Sequence, residues 1–438
     1  MAPTTLPQRA RRVIPGGANS GARIVSGLED VVITAAEGAT ITDSTGRRYV
    51  DYHAAYGPVI LGHGDEDVLA AFIAACRRVD IVGVGVTEVE VELAEKITDL
   101  VPCAEQVVLL STGTEATFYA VRLARGVTGR RLLVKFQGCF HGSHDAVAMN
   151  VISRPDRVGV KDPLSIGILS DVIDATRVLP FNDLDALRQS VGEHPGEIAA
   201  IILEPIPHNV GALLPDQQFL EGLREICDKE GIVLIFDEVI TGFRHGLGGY
   251  QAICGVTPDL TSLGKAMANG FPIAALAGRR DLLEQFSTVP GAPVMLAGTY
   301  NGHPGMAAAA LATIKKLETE PVHEHIFGLG ALARAGLQEM FDDLGVTAFV
   351  TGFGSVWVSY FLEGQVSSYD DLLRNDAELY VGYRRRLLEH GIFELPMNLK
   401  RNHFTYAHTR EHVEELIEAT SECVSKELQA RVLPTGRT

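Results

Sequence analysis

The stretch GIVLIFDEVITGFRHG, Gly231 to Gly246, decides the fold class. Ile232 to Phe236 form an unbroken apolar run of strand length that ends on two adjacent carboxylates, Asp237 and Glu238. A strand that is apolar on both sides belongs in a sheet covered on both faces, and such sheets are mostly parallel. Acids at the mouth of a buried strand have three readings. They hold a magnesium ion beside a nucleotide, they face a protonated ring nitrogen of a cofactor, or they tie down the following turn.

Similar apolar runs stand on either side: QVVLL (106–110), RLLVKF (131–136), AAIILEP (199–205) and IAALAG (273–278). Amphipathic stretches separate them. FLEGLREIC places Phe219, Leu220, Leu223, Ile226 and Cys227 at helical spacing. Alternating strands and helices predict an α/β fold, with a large mostly parallel sheet under helices on both faces. GATITDSTGRRYVDYH reads as two short strands around Ser44-Thr45-Gly46. MAAAALATIKKLE (306–318) reads as a long helix leading out of the large domain, and SVWVSYF (355–361) as a strand of a smaller α+β domain. The expected division is residues 1–60 as an N-terminal segment joining the small domain, 61–310 as the large domain and 311–438 as the C-terminal small domain.

Of the 438 residues, 46% are hydrophobic and 21% charged, which supplies a large core. A net charge of −17 argues against nucleic acid or an anionic membrane as the main partner. The six cysteines are scattered without a C-x-x-C, as expected of reduced thiols in a cytosolic protein. The N-terminus lacks an apolar signal core, and no run of 18 apolar residues occurs. A cytoplasmic protein is expected.

Three segments carry candidate chemistry. In LLSTGTEATFYAVRLARGVTGR (109–130) a strand runs into Ser111-Thr112-Gly113-Thr114 and then a helix. Free N–H groups at a helix start beside a glycine suit a phosphate, although a plain capped turn has the same composition. In KFQGCFHGSHD (135–145), Phe140 and His141 could line a site, the aromatic packing on a flat ligand, although a plain loop has the same composition. His141, His144 and Asp145 match no zinc spacing, so no metal is expected. The nucleotide reading of Asp237 requires a G-x-x-x-x-G-K-[ST] loop, and none occurs; Gly264-Lys265 is followed by alanine. Gly83 and Gly85 lack the third glycine of a dinucleotide fingerprint.

The third segment is PDLTSLGKAMANGFPIAALAG (258–278), where Lys265 lies among small residues one strand–helix–strand step after Asp237. Ligands of open parallel sheets collect at the carboxyl ends of the strands, so Asp237, Lys265 and the Gly113 turn would converge. A Schiff-base lysine, a carboxylate for a pyridinium nitrogen and a helix start for a phosphate are together what pyridoxal phosphate requires.

With these motifs in order, the chain resembles the class III, fold type I pyridoxal-phosphate aminotransferases, and within them the glutamate-1-semialdehyde aminomutase group. PGGANSGAR (15–23), YGPVILGHG (56–64), STGTEAT (111–117), GCFHG (138–142), LEPI (203–206), DLTSLGKAM (259–267) and AGTYNGHPGMAAA (297–309) carry the likeness. The resemblance implies that Lys265 bonds the cofactor and that Asp237 pairs with its ring nitrogen. It implies that Val239 and Phe140 cover the two ring faces, Gly113 and Thr114 hold the phosphate, and Glu204 and Asn209 lie near the ring hydroxyl. Thr299 would reach the phosphate of a neighbouring subunit, which makes a homodimer with shared sites. Arg23 would hold a substrate carboxylate.

Three departures bear on substrate. The aminomutase pattern has tyrosine at Phe140, tryptophan at Tyr56 and glutamate at Lys400. The charge reversal at Lys400 either adds a carboxylate-binding charge beside Arg401 or turns outward as a solvated lysine. The expected reaction is transfer of an amino group between a carboxylate-bearing amino acid, β-amino acids included, and an oxo acid. The alternative is the internal amino shift of glutamate-1-semialdehyde. A non-catalytic binding module is a third reading, against which Lys265 and Asp237 both argue.

Overall fold

The computed structural model describes residues 5–432. Three N-terminal strands, β1 (Ile33–Glu37), β2 (Thr40–Asp43) and β3 (Arg48–Asp51), precede the main sheet. That sheet comprises β4 (Gln106–Leu110), β5 (Leu132–Phe136), β6 (Thr176–Leu179), β7 (Ile198–Leu203), β8 (Val233–Glu238), β9 (Leu260–Leu263) and β10 (Ala274–Gly278). Their spatial order is β4-β10-β9-β8-β7-β5-β6. β10 is antiparallel to both its neighbours, and all other pairs are parallel.

The apolar runs form strands where expected. β6 has no such run, because it is a half-buried edge strand with Arg177 in its middle. The reversal at β10 follows from its connection. Only the short segment 264–273 joins it to β9, and a parallel return needs a longer crossover.

Strand alternation divides the core. Val233 and Ile235 face one side of β8 and pack with Ala116, Ala120 and Ala124 of the helix Gly113–Thr128. Leu234 and Phe236 face the other side, with Phe219, Leu220 and Leu223 of the helix Gln217–Glu230. Each such fully buried aliphatic or aromatic side chain contributes about 1.5–3 kcal/mol. The same period of two sends Asp237 to the side of the first helix and Glu238 to the other.

Beyond the helix Pro304–Thr319, β11 (Phe349–Thr351), β12 (Val356–Tyr360) and β14 (Asn402–His403) make a second sheet. β13 (Ile392–Phe393) instead pairs in parallel with β3, so the N-terminal strands share a sheet with the C-terminal part of the chain. Among the described residues no helix is long and apolar enough to cross a membrane.

Candidate active site

A cavity of about 150 Å³ opens at the carboxyl ends of the central strands. Gly113, Thr114, Phe140, Glu204, Asn209, Asp237, Val239 and Lys265 all line it, with Thr112, His141, Gly142 and Ile240. Segments far apart in sequence meet here because parallel strands all end on the same side.

Asp237 is buried at the end of β8. His141 Nδ1 lies 2.8 Å from Asp237 Oδ2. Burial lowers the His141 proton affinity against the opposing pull of Asp237, so the neutral ring donates from Nδ1. Ser262 Oγ donates to Asp237 Oδ1 at 2.9 Å from the facing position on β9. Glu238 does different work. It accepts from Thr241 Oγ1 at 2.8 Å, from Gln251 Nε2 at 2.9 Å and from the Tyr250 and Gln251 amides. The turn-tying reading of the acid pair thus belongs to Glu238, and Asp237 faces the cavity.

Lys265 follows β9 with φ +46, a left-handed conformation that a non-glycine residue holds only under constraint from its surroundings. Its Nζ has no hydrogen-bond partner among the described residues. Burial lowers its proton affinity, and Arg401 is the charge that lowers it most. Glu204, at the end of β7, accepts from the Phe140 amide at 2.8 Å and from Asn209 Nδ2 at 3.2 Å. Burial and then the Asp237 charge raise its proton affinity.

The helix Gly113–Thr128 begins at the cavity rim. A capping box formed by Thr112 and Glu115 fixes its first turn. The Gly113 and Thr114 amides donate to nothing among the described residues. A Cβ at position 113 would come within 2.9 Å of Val239, so only glycine lets the turn approach β8 this closely. Phe140 is 36% exposed, which leaves its ring open on the cavity side.

The remaining candidates lie outside this lining. Lys400 points inward: its Nζ donates to the Asn209 carbonyl at 3.1 Å. Burial and repulsion from Arg401 pull it down to about 8. The outward, solvated reading of Lys400 does not hold. Tyr56 donates its hydroxyl to the Ala22 carbonyl, and its own carbonyl accepts from Arg401 Nη2 at 2.8 Å. Arg23 is exposed. Thr299 is exposed too, and borders a separate groove with Val82, Val84 and Val86.

Ser262 is a site residue that sequence reasoning missed, whereas it read His141 only as a residue that could line a site and Arg401 only as the basic neighbour of Lys400. His141 is visible in GCFHG, but its pairing with Asp237 spans 96 positions. Ser262 precedes Lys265 by three residues, and only the β8–β9 register reveals its aim.

A mixed sheet whose strand ends gather a lysine, a buried carboxylate and a free helix start defines a fold type I transferase. The chain belongs to the class III aminotransferase family: the aminotransferase class-III model matches residues 24–424. It is therefore an enzyme of a pyridoxal-phosphate-dependent family. A glutamate-1-semialdehyde 2,1-aminomutase of Pyrobaculum arsenaticum is 42% identical over 414 residues, 94% of this chain and 96% of that protein. An ω-transaminase from Sphaerobacter thermophilus superposes with a TM-score of 0.88 at 33% identity, covering 97% of each chain. A transaminase with pyridoxal phosphate bound gives 0.88 at 31% identity, again covering 97% of each.

Proposed function

We propose that this protein binds pyridoxal 5′-phosphate and transfers an amino group between a carboxylate-bearing amino acid, β-amino acids included, and an oxo acid. The observation that carries the reading is the convergence of Lys265, Asp237 and the unpartnered Gly113 and Thr114 amides on one cavity. These groups fit the cofactor. Two free amides at a helix start suit a phosphate. A buried carboxylate suits a protonated ring nitrogen. A lysine amine without a partner suits the covalent attachment. Val239 and the open face of Phe140 would enclose the ring, and Glu204 with Asn209 would meet its hydroxyl.

When bound, pyridoxal phosphate supplies an electrophilic carbon for the amine and an electron-withdrawing ring. Lys265 would take the proton from the carbon that bears the amine, the α-carbon or the β-carbon of a β-amino acid, and return it to the carbon on the other side of the nitrogen. Asp237, held by His141 and Ser262, keeps a fixed negative charge at the ring nitrogen. The inward Lys400 and its neighbour Arg401 favour carboxylate substrates. The six free cysteines suit a cytosolic setting.

The second reading is the internal amino shift of glutamate-1-semialdehyde, favoured by the 42% identity to the Pyrobaculum arsenaticum aminomutase. One experiment separates the two. Glutamate-1-semialdehyde is supplied alone, and a donor panel is supplied with 2-oxoglutarate or pyruvate. Transfer from donors to an oxo acid is the expected result. Rapid 5-aminolevulinate formation without an acceptor, with no turnover across the panel, would establish the aminomutase instead.

The reading includes a homodimer in which Thr299 reaches the partner's phosphate position. Val82, Val84 and Val86 line one groove with Thr299, and they are exposed together with Met295 and Tyr300 of the same chain segment as Thr299, apolar side chains of the kind that mark an interaction surface. Mixing a Lys265→Ala chain with a Thr299→Ala chain should give heterodimers with both lesions in one site and the other site intact. Activity above the mean of the two parents is expected. A monomer by light scattering at working concentration contradicts the shared site.

A further inference from the structure

Residues 54–57 form the longest run of left-handed backbone among the described residues. φ is +47 at Ala54, +53 at Ala55, +70 at Tyr56 and +100 at Gly57. L-residues adopt this conformation singly and at a cost, so three in succession persist only where the surroundings hold them. Here they are held from several sides. Asp51 Oδ1 accepts from the His53 and Ala54 amides at 2.9 and 3.2 Å, and its other oxygen lies 2.8 Å from His63 Nε2. Arg401 Nη2 donates to the Tyr56 carbonyl at 2.8 Å. Arg244 donates to the Gly57 carbonyl from Nε at 3.1 Å and from Nη2 at 2.8 Å. The His53 ring meets the Tyr56 ring edge to face, with centroids 4.1 Å apart. The direction of the Tyr56 phenol is therefore fixed by its own turn.

That phenol donates to the Ala22 carbonyl. Among the described residues this is the one hydrogen bond or ion pair that joins residues 15–24 to the rest of the chain. The other bonds of the segment stay inside it: the Gly17 amide donates to the Ile14 carbonyl, Arg23 to Ser20 and Ile24 to Gly21. Residues 19–24 are all exposed, so packing holds them little. The Ala22 carbonyl and the Arg23 amide belong to one peptide plane. Tyr56 grips one end of that plane and the Ser20 carbonyl, at 3.0 Å, the other. Burial raises the proton affinity of the phenol, against the charges of Arg401 and then Arg23, so it remains a donor with Arg23 close by.

We infer that Tyr56 is a positioning residue: its left-handed turn aims the hydroxyl at the Ala22–Arg23 peptide and thereby holds Arg23 beside the site. This rests on the aminotransferase reading, in which Arg23 meets a substrate carboxylate. An exposed arginine on an untied segment would have to be ordered each time a substrate binds, and tying its backbone in advance removes part of that cost. The tryptophan of the aminomutase pattern has no hydroxyl, so this fastening comes with the tyrosine at position 56.

Two measurements on the cofactor-loaded protein test this. Hydrogen–deuterium exchange over residues 14–31 reports the fastening without any catalysis. Tyr56→Phe removes the hydroxyl and keeps the ring, and the Arg23 and Ile24 amides should then exchange about threefold to tenfold faster, the effect of losing one neutral hydrogen bond. Capture of the cofactor by aminooxyacetate and by methoxyamine reports Arg23. Each reagent forms a C=N bond to the cofactor carbon as the bond to Lys265 breaks and the lysine amine leaves, and only aminooxyacetate carries a carboxylate. The native protein should favour aminooxyacetate, and Tyr56→Phe should reduce that preference about threefold to tenfold. In an Arg23→Gln background the same change should alter the preference by less than about twofold, because its effect runs through Arg23. Native exchange at residues 23 and 24 in Tyr56→Phe, or an equal loss of preference in both backgrounds, would overturn the inference. Faster exchange in Tyr56→Phe, with no transamination by the native protein across the donor panel, would instead remove the aminotransferase reading and leave the fastening of Arg23 standing.

Discussion

Lys265→Ala is expected to lower kcat/KM by at least about 10²–10⁴-fold, the range that a positioned acid–base group supplies. Among the described residues no other lysine lines the cavity. Lys400 is tied to the Asn209 carbonyl and cannot take over the proton transfer without breaking that bond. Lys265 is suited to the work in two ways. Its backbone is locked at φ +46 at the end of β9, which fixes the root of the side chain. Burial and the Arg401 charge lower its proton affinity, so the free amine persists at a lower pH than an ordinary lysine allows. The check has two parts. Steady-state rates report the loss, and borohydride reduction followed by peptide mapping should place the cofactor label on Lys265 in the native protein and nowhere in the variant. Native turnover by Lys265→Ala, or a label on another lysine, would end the assignment.

Asp237→Asn should have the next largest effect. The amide keeps the shape and can still meet Ser262 Oγ and the Val239 amide through its oxygen. It removes the charge at the ring-nitrogen position. A preorganised electrostatic contribution of this type is worth about 2.7–4 kcal/mol, or about 10²–10³ in kcat. His141 adds to the cost. Its Nδ1–H now donates to a carboxylate, and an asparagine NH₂ turned toward it would oppose a second donor. A stopped-flow donor half-reaction measures the rate, and equilibrium dialysis of the cofactor separates lost chemistry from lost binding. A half-reaction within about twofold of native, where several kcal/mol is expected, would show that Asp237 does not act on the ring.

Local sequence was enough for the features that depend on neighbours along the chain. The unbroken apolar run Ile232–Phe236 predicts a strand covered on both faces, and the strand is buried throughout. The turn Ser111-Thr112-Gly113-Thr114 predicts a helix start, and the start is capped by Thr112 and Glu115, a box closed within one turn. The spacing of Lys265 from Asp237 places both at strand ends in one βαβ step, since parallel strands finish on the same side. Strand alternation even separates Asp237 from Glu238, but which of the two faces the cavity depends on where the helix Gly113–Thr128 packs.

Tertiary structure decided what distant segments do to each other. Arg401 meets the Tyr56 carbonyl across 345 positions, and Lys400 reaches Asn209 across 191. Nothing in NLKRNH distinguishes a solvated basic pair from a buried one. The difference arises because β13 joins the N-terminal strands, which carries Tyr56 to the segment after Glu394. Burial of a charge is a property of the packed assembly of segments, whereas periodicity and capping are properties of one segment. The strands and the meeting of Lys265 with Asp237 at their ends were therefore legible in the sequence, and the burial of Arg401 became visible only once the chain was folded.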